Sequence, residues 1–176
     1  QMCIRDSGVG KVSAATTATL LIQHFGASRI VFTGVAGGLG PEVKVGDVVL
    51  ARSFLQHDMD ASPLFPRHEV PFYGRSRFDA NAGLTDALEL ACARMLHSLP
   101  QQLDAATVDT FGLRAPRLHQ GLLISGDRFV ATTAESQALQ RELPDALAVE
   151  MEGAAFAQVC HDFGVPAASV SYTHLR

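Results

Sequence analysis

The sequence predicts an α/β domain: a central, largely buried sheet flanked by helices. Helical and extended segments alternate along its 176 residues. The extended segments are short, β-rich and mostly apolar, as in sheets covered on both faces. Hydrophobic residues make up 47% of the chain and charged ones 18%, which suits one compact domain with a real core.

The elements follow in order. Lys11 to Phe25 is rich in Ala, Thr and Leu, a helix that Gly26 can end. RIVFT (Arg29 to Thr33) is a strand that runs into a glycine-rich turn, GVAGGLG. VGDVVLA (Val45 to Ala51) is a second strand. Residues 53–80, with three prolines, are expected to be loop. Leu84, Leu88, Ala91, Met95 and Leu99 recur at helical spacing. QGLLIS (Gln120 to Ser125) is a strand, and a short polar helix is expected over Ala134 to Leu143. Leu147 to Met151 is a buried strand. Gly153 to Phe163 is a helix with Phe156, Val159, Cys160 and Phe163 inward; Gly164 and Pro166 end it, and Ala167 to Val170 opens another strand.

Charge and cysteine usage exclude several classes. The net charge of -4, without a basic block, argues against nucleic acid as a partner. No apolar run has the length of a membrane span, so no membrane partner is expected. Cys3, Cys92 and Cys160 are widely spaced, and suit reduced thiols in a cytoplasmic protein better than a disulfide or zinc framework. QMCIRDS and SYTHLR do not continue the patterns beside them and read as translated adapter or assembly scars. One domain is therefore expected over 7–170, with 1–6 and 171–176 as non-native tails and native sequence beyond both.

Four motifs compete for chemistry. In GVGK, Arg5 stands where a Walker loop needs its first glycine and Val12 where it needs Ser or Thr, so a tight turn into a helix is the better reading. GVAGGLG lacks the GxGxxG spacing; at a strand end, its glycines suit either a ligand cradle or a structural turn. HDMD (His57 to Asp60) lacks a second cluster to complete a metal shell and is read as a polar loop; no metal is expected. ISGDRFV ends a strand and then presents Phe129 and Val130, either as core or as a platform for a flat base.

AVEMEGAAFA (Ala148 to Ala157) places Glu150 and Glu152 in an otherwise apolar run. Burying an unpaired carboxylate is costly, so each needs a partner. Strand alternation puts both on one face, with Met151 opposite and Glu152 at the strand end. There a carboxylate can accept two charge-assisted bonds from vicinal hydroxyls, as on a ribose. Helix-start acids answering the macrodipole account for Glu152 but not Glu150.

SGVGKVSAA, FTGVAGGLGPEVKVGDVV, HDMDAS, ISGDRFV and VEMEGAAFAQVCHDFGVP together resemble the 5′-methylthioadenosine/S-adenosylhomocysteine nucleosidases of the purine nucleoside phosphorylase superfamily. The resemblance implies a three-layer sandwich with a central mixed sheet, and hydrolysis of an adenosine thioether to adenine and a thioribose. No cofactor is implied, and a homodimer is expected, with the 53–80 loop over the 5′ substituent. Phe129 would stack on adenine and the Val130 backbone bond its edge. Met151 would pack on the ribose, Glu152 hold its 2′- and 3′-hydroxyls, and Glu150 support the site. Ala36 and Gly37 would line ribose and base.

The resemblance also implies a general acid and an activated water. The family's acid aspartate, in an SD pair, falls where this chain has His174 and Leu175, and the arginine before it falls at Ser171. The water-activating glutamate belongs to an N-terminal strand outside this span, and Val35 replaces a serine common in relatives. The span is thus expected to hold the binding half of a site, without its acid and base, and to be inactive. Phe32 and Val35 stand where phosphorylases carry phosphate-holding residues, which favours hydrolysis. Futalosine hydrolase, AMP nucleosidase and a non-catalytic nucleoside-binding module are the alternatives.

Overall fold

The computed structural model describes residue 2, residues 4–111, residue 113 and residues 115–175, so Cys3 lies outside it. The described elements run α1 (Lys11–Gln23), β1 (Ile30–Gly38), β2 (Val48–Gln56), β3 (Arg77–Asp79), α2 (Ala82–Gln102), α3 (Ala105–Phe111), β4 (Leu118–Ser125), α4 (Thr133–Glu142), β5 (Ala146–Glu150), α5 (Gly153–Asp162) and β6 (Ala167–Leu175). The strands form one mixed sheet in the order β3-β2-β4-β5-β1-β6. The α/β class with flanking helices is therefore as the sequence predicts. The sheet also curls, because the start of β2 pairs antiparallel with β6 at Val48↔Tyr172 and Leu50↔Val170.

Alternation of side chains divides the core between the two faces of the sheet. Phe54 and Leu123, in register across β2 and β4, pack with Phe156 and Cys160 of α5 and Ala18 of α1. Leu55 and Ile124, the next pair along, face the opposite side, where α4 adds Leu139. Phe54, Leu55, Leu123, Ile124 and Phe156 are each at most 3% exposed. Fully burying a side chain of that size contributes about 1.5–3 kcal/mol, so the register of β2 on β4 is strongly held.

Several element expectations need correction. β1 does not stop at Thr33 but runs through Gly38, pairing in parallel with β6 and, at Gly37 and Gly38, antiparallel with β5. The glycine stretch is strand rather than turn. β2 begins three residues later than expected, after a turn that Asp47 closes by accepting the Lys44 N–H at 2.9 Å, and continues to Gln56. β3 lies within the segment expected as loop, and α3 was not expected. Among the described side chains of α2 the buried positions are Thr85 and Cys92, whereas Met95 is 41% exposed, so the inner stripe is rotated from the one expected. Phe163 caps α5 and is 42% exposed rather than inward. β6 continues past position 170 through Leu175, with Ser171 and Thr173 fully buried.

Cys92 and Cys160 are buried free thiols. No helix among the described residues is long and apolar enough to cross a membrane. Asn81 starts α2 by accepting the Leu84 N–H at 3.0 Å. Asn81→Ala is expected to cost about 1 kcal/mol, seen as a lower urea midpoint at unchanged m-value.

Candidate active site

The C-terminal ends of β4 and β5 meet the last turn of β1 around a cavity of about 290 Å³. Ala36 and Gly37 reach it from β1, and Phe129 and Val130 from the loop after β4. Glu150, Met151 and Glu152 reach it from the β5–α5 junction. All seven residues singled out in the sequence thus line one cavity, although they come from three separate segments. Val9, Val35, Arg128, Val149 and His174 complete the lining.

The loop that carries Phe129 is held from α4. Thr132 and Glu135 form a reciprocal capping box, and Glu135 also accepts the Ala131 N–H and pairs with Arg128. Phe129 is 60% exposed, so it is not a core residue, which removes one of the two readings of ISGDRFV. An apolar ring left in water at a cavity wall offers a stacking face to a flat ligand.

The helix-start role that the sequence offered Glu152 as an alternative falls to Glu150 instead. β5 ends at Glu150, and Glu152 is the N-cap residue of α5 at φ -131° and ψ -42°, so strand alternation does not extend to it. Glu150, only 6% exposed, is the helix-start acid. Its carboxylate accepts the N–H of Glu152 at 2.9 Å and of Gly153 at 2.8 Å, and the Ser125 hydroxyl. Ser125 Oγ in turn accepts the Ala154 N–H at 2.7 Å. Gly153 makes room for this: a Cβ there would lie 3.2 Å from Glu150 Oε1 and 3.2 Å from Leu123. Burial raises the Glu150 carboxyl from 4.5 to about 7, against the hydrogen bonds from Ser125, Gly153 and Glu152 that favour its ionised form.

Glu152 makes no side-chain bond to the helix it begins. Its Oε1 accepts the Gly10 N–H at 2.6 Å. Gly10 belongs to the GVGK turn and sits at φ +93°, a conformation that L side chains rarely adopt. The sequence reads GVGK as a turn into a helix, which it is, but does not show that Val9 lines the cavity or that Gly10 bonds Glu152. The only available signal was its presence among the stretches carrying the family resemblance.

HDMD is also tied to this turn. Lys11 Nζ donates to Asp58 at 2.7 Å, Asp58 accepts the Asp127 N–H at 2.9 Å, and Asp127 accepts the Lys11 N–H at 2.8 Å. The motif therefore joins the GVGK and SGD turns, as a polar loop. No group of His, Cys, Asp or Glu among the described residues is arranged to hold a metal ion. Phe32 stacks on Phe156 at 5.6 Å between ring centroids, and Val35 lines the cavity.

The cavity opens at the strand ends, where open α/β sheets bind their ligands, with an exposed aromatic ring and a carboxylate in its wall. The sequence model of the phosphorylase superfamily matches residues 1–174, and the chain belongs to that superfamily. It is 37% identical over 177 aligned positions to the 5′-methylthioadenosine/S-adenosylhomocysteine nucleosidase of Mycobacterium bovis, covering 94% of this chain and 66% of the relative. The crystal structure of the nucleosidase of that name from Neisseria meningitidis, in complex with methylthio-immucillin-A, superposes with a TM-score of 0.79 at 33% identity. That match covers 95% of this chain and 64% of the other. A futalosine hydrolase mutant from Helicobacter pylori superposes with a TM-score of 0.73 at 31% identity, covering 96% and 67%. The chain spans just under two thirds of the length of the Mycobacterium and Neisseria proteins.

Proposed function

We propose that this chain carries the substrate-binding part of a 5′-methylthioadenosine/S-adenosylhomocysteine nucleosidase, an N-glycosidic hydrolase acting in the cytosol. The observation that carries the reading is the Glu152 carboxylate, which faces an otherwise mainly apolar cavity beside Phe129 and makes no bond to its own helix. In this reading Phe129 stacks on adenine and the Val130 backbone bonds the edge of the base. Met151 packs on the ribose, Glu152 accepts its 2′- and 3′-hydroxyls, and Ala36 and Gly37 form the wall behind. Hydrolysis is favoured over phosphorolysis because Phe32 is committed to its stack on Phe156 and Val35 has no donor for an anion.

Calorimetric titration with 5′-methylthioadenosine tests the assignment. Glu152→Gln keeps the shape but removes the charge from both hydroxyl bonds, a loss on the order of 1.5–3 kcal/mol. The dissociation constant is expected to rise roughly ten- to a hundredfold, while a 2′,3′-dideoxy analogue notices little. Melting temperature should hold or rise, because an exposed-to-cavity carboxylate without a counter-charge has been neutralised. Unchanged affinity with lower melting would remove Glu152 from the site.

Futalosine is the second ligand to titrate, since a futalosine hydrolase shares this fold at comparable identity. Tighter binding of futalosine than of methylthioadenosine would change the substrate assignment. An AMP-like 5′-phosphate is less well matched, because Arg128, the cation lining the cavity, is paired with Glu135. The proposal includes a homodimer in which the 53–80 segment covers the 5′ end of the ligand. Leu64 is 84% and Phe72 92% exposed on that segment, and neither lines the cavity of its own chain. Light scattering that returns a monomer throughout the micromolar range would remove the dimer.

A further inference from the structure

We propose that Glu150 touches no substrate and is, with Ser125, the positioning pair that keeps the Glu152 carboxylate free for the ribose. This rests on the reading of Glu152 as the ribose-holding group. A helix begins with backbone N–H groups that lack intrahelical acceptors, and the N-cap side chain is the group that ordinarily takes one of them. Glu152 is that residue in α5. Left to local chemistry, its carboxylate would fold back on its own helix and leave the cavity.

The sheet prevents this. The N–H groups of Glu152 and Gly153 are taken by Glu150, at the end of β5, and that of Ala154 by Ser125, at the end of β4. The two supporting side chains are joined by the Ser125–Glu150 hydrogen bond, and both are buried, Ser125 completely. The donors nearest Glu152 are thus already satisfied from behind. What remains for Glu152 is the Gly10 N–H across the cavity wall, which holds one oxygen and leaves lone pairs of the carboxylate open. Two adjacent strands therefore do the capping so that the capping residue can do something else.

The test is a double-mutant cycle read by titration with 5′-methylthioadenosine. Glu150→Gln replaces one acceptor oxygen by an NH₂ group, which faces donors already present, and frees a helix N–H for Glu152. Affinity should fall about tenfold in the otherwise unchanged chain, and by less than about twofold when Glu152 is already Gln. Ser125→Ala, which frees the Ala154 N–H, should show the same collapse and serves if Glu150→Gln does not fold. A role in stability alone predicts the same fold-loss in both backgrounds, and that result would overturn the proposal. So would unchanged affinity in both single variants. If instead Glu152→Gln itself leaves affinity unchanged, the ribose assignment fails first, and the positioning role falls with it.

Discussion

Adenine should be released from 5′-methylthioadenosine by this chain on the order of 10²- to 10⁴-fold more slowly than from a cavity with a positioned general acid, although the nucleoside should bind. Breaking the bond to adenine leaves electrons on the base, and they must be met by a proton as the ribose becomes oxocarbenium-like. The carboxylates among the described lining residues are Glu150 and Glu152. Glu152 is assigned to the hydroxyls. Glu150 titrates near neutrality, as an acid should, but it is buried and committed to Ser125, Glu152 and Gly153. His174 also lines the cavity, with an imidazole rather than a carboxyl. Single-turnover release of adenine, followed chromatographically at saturating protein, checks the expectation. A rate of about 1 s⁻¹ or more, within the ordinary range for enzymes, would show that a proton donor is present. Loss of that rate in His174→Ala would then locate it. Binding without release would match the behaviour of a nucleoside-binding module.

The second large effect concerns pH. Burial raises Glu150 from 4.5 to about 7, so its protonated form is the one the fold favours. Its contribution to stability is full below the unfolded value and is lost as pH rises through the folded one, a change of about 3 kcal/mol between pH 4 and pH 8. Another buried group pulls the other way. Burial pushes the His57 imidazole below its usual value, so it costs stability as pH falls below about 6.5, where the unfolded chain takes up the proton. The difference between the chain and Glu150→Gln isolates the glutamate. The gap between the urea midpoints of the two proteins should change steadily between pH 5 and pH 8, with the glutamate form losing ground as pH rises. A gap that stays constant over that window would show that Glu150 does not titrate there.

Much of the architecture was legible because the strands are apolar runs bounded by turn residues. QGLLIS and the LAVEM stretch lie within or across β4 and β5 to within a residue or two, and Gly153 opens α5 as expected. GVAGG was misread because glycine weakens a strand locally, and only pairing with both β5 and β6 keeps β1 extended there. α3 was missed because AATVDTF mixes Thr and Val with Ala and has no inward stripe; none of its residues is buried. The inner stripe of α2 was misjudged because Cys92 and Thr85 looked less apolar than Ala91 and Met95, and packing on β2 and β6 decided otherwise.

By itself the sequence determined that the domain is α/β and that two carboxylates in an apolar run must each find a partner, while the resemblance pointed to GVAGG, RFV and VEME as the site. Composition, periodicity and the cost of burying charge are local quantities, and they suffice for that much. Which partner each carboxylate found was decided only by the tertiary structure. Ser125 lies 25 positions from Glu150 and Gly10 lies 142 from Glu152, so neither bond leaves a trace in local pattern. They form because β4 and β5 run parallel and end together, and because α1 packs on α5 and brings the GVGK turn across the cavity mouth. The same chain-distant packing turned the nearer glutamate into a helix cap and left the farther one facing the site.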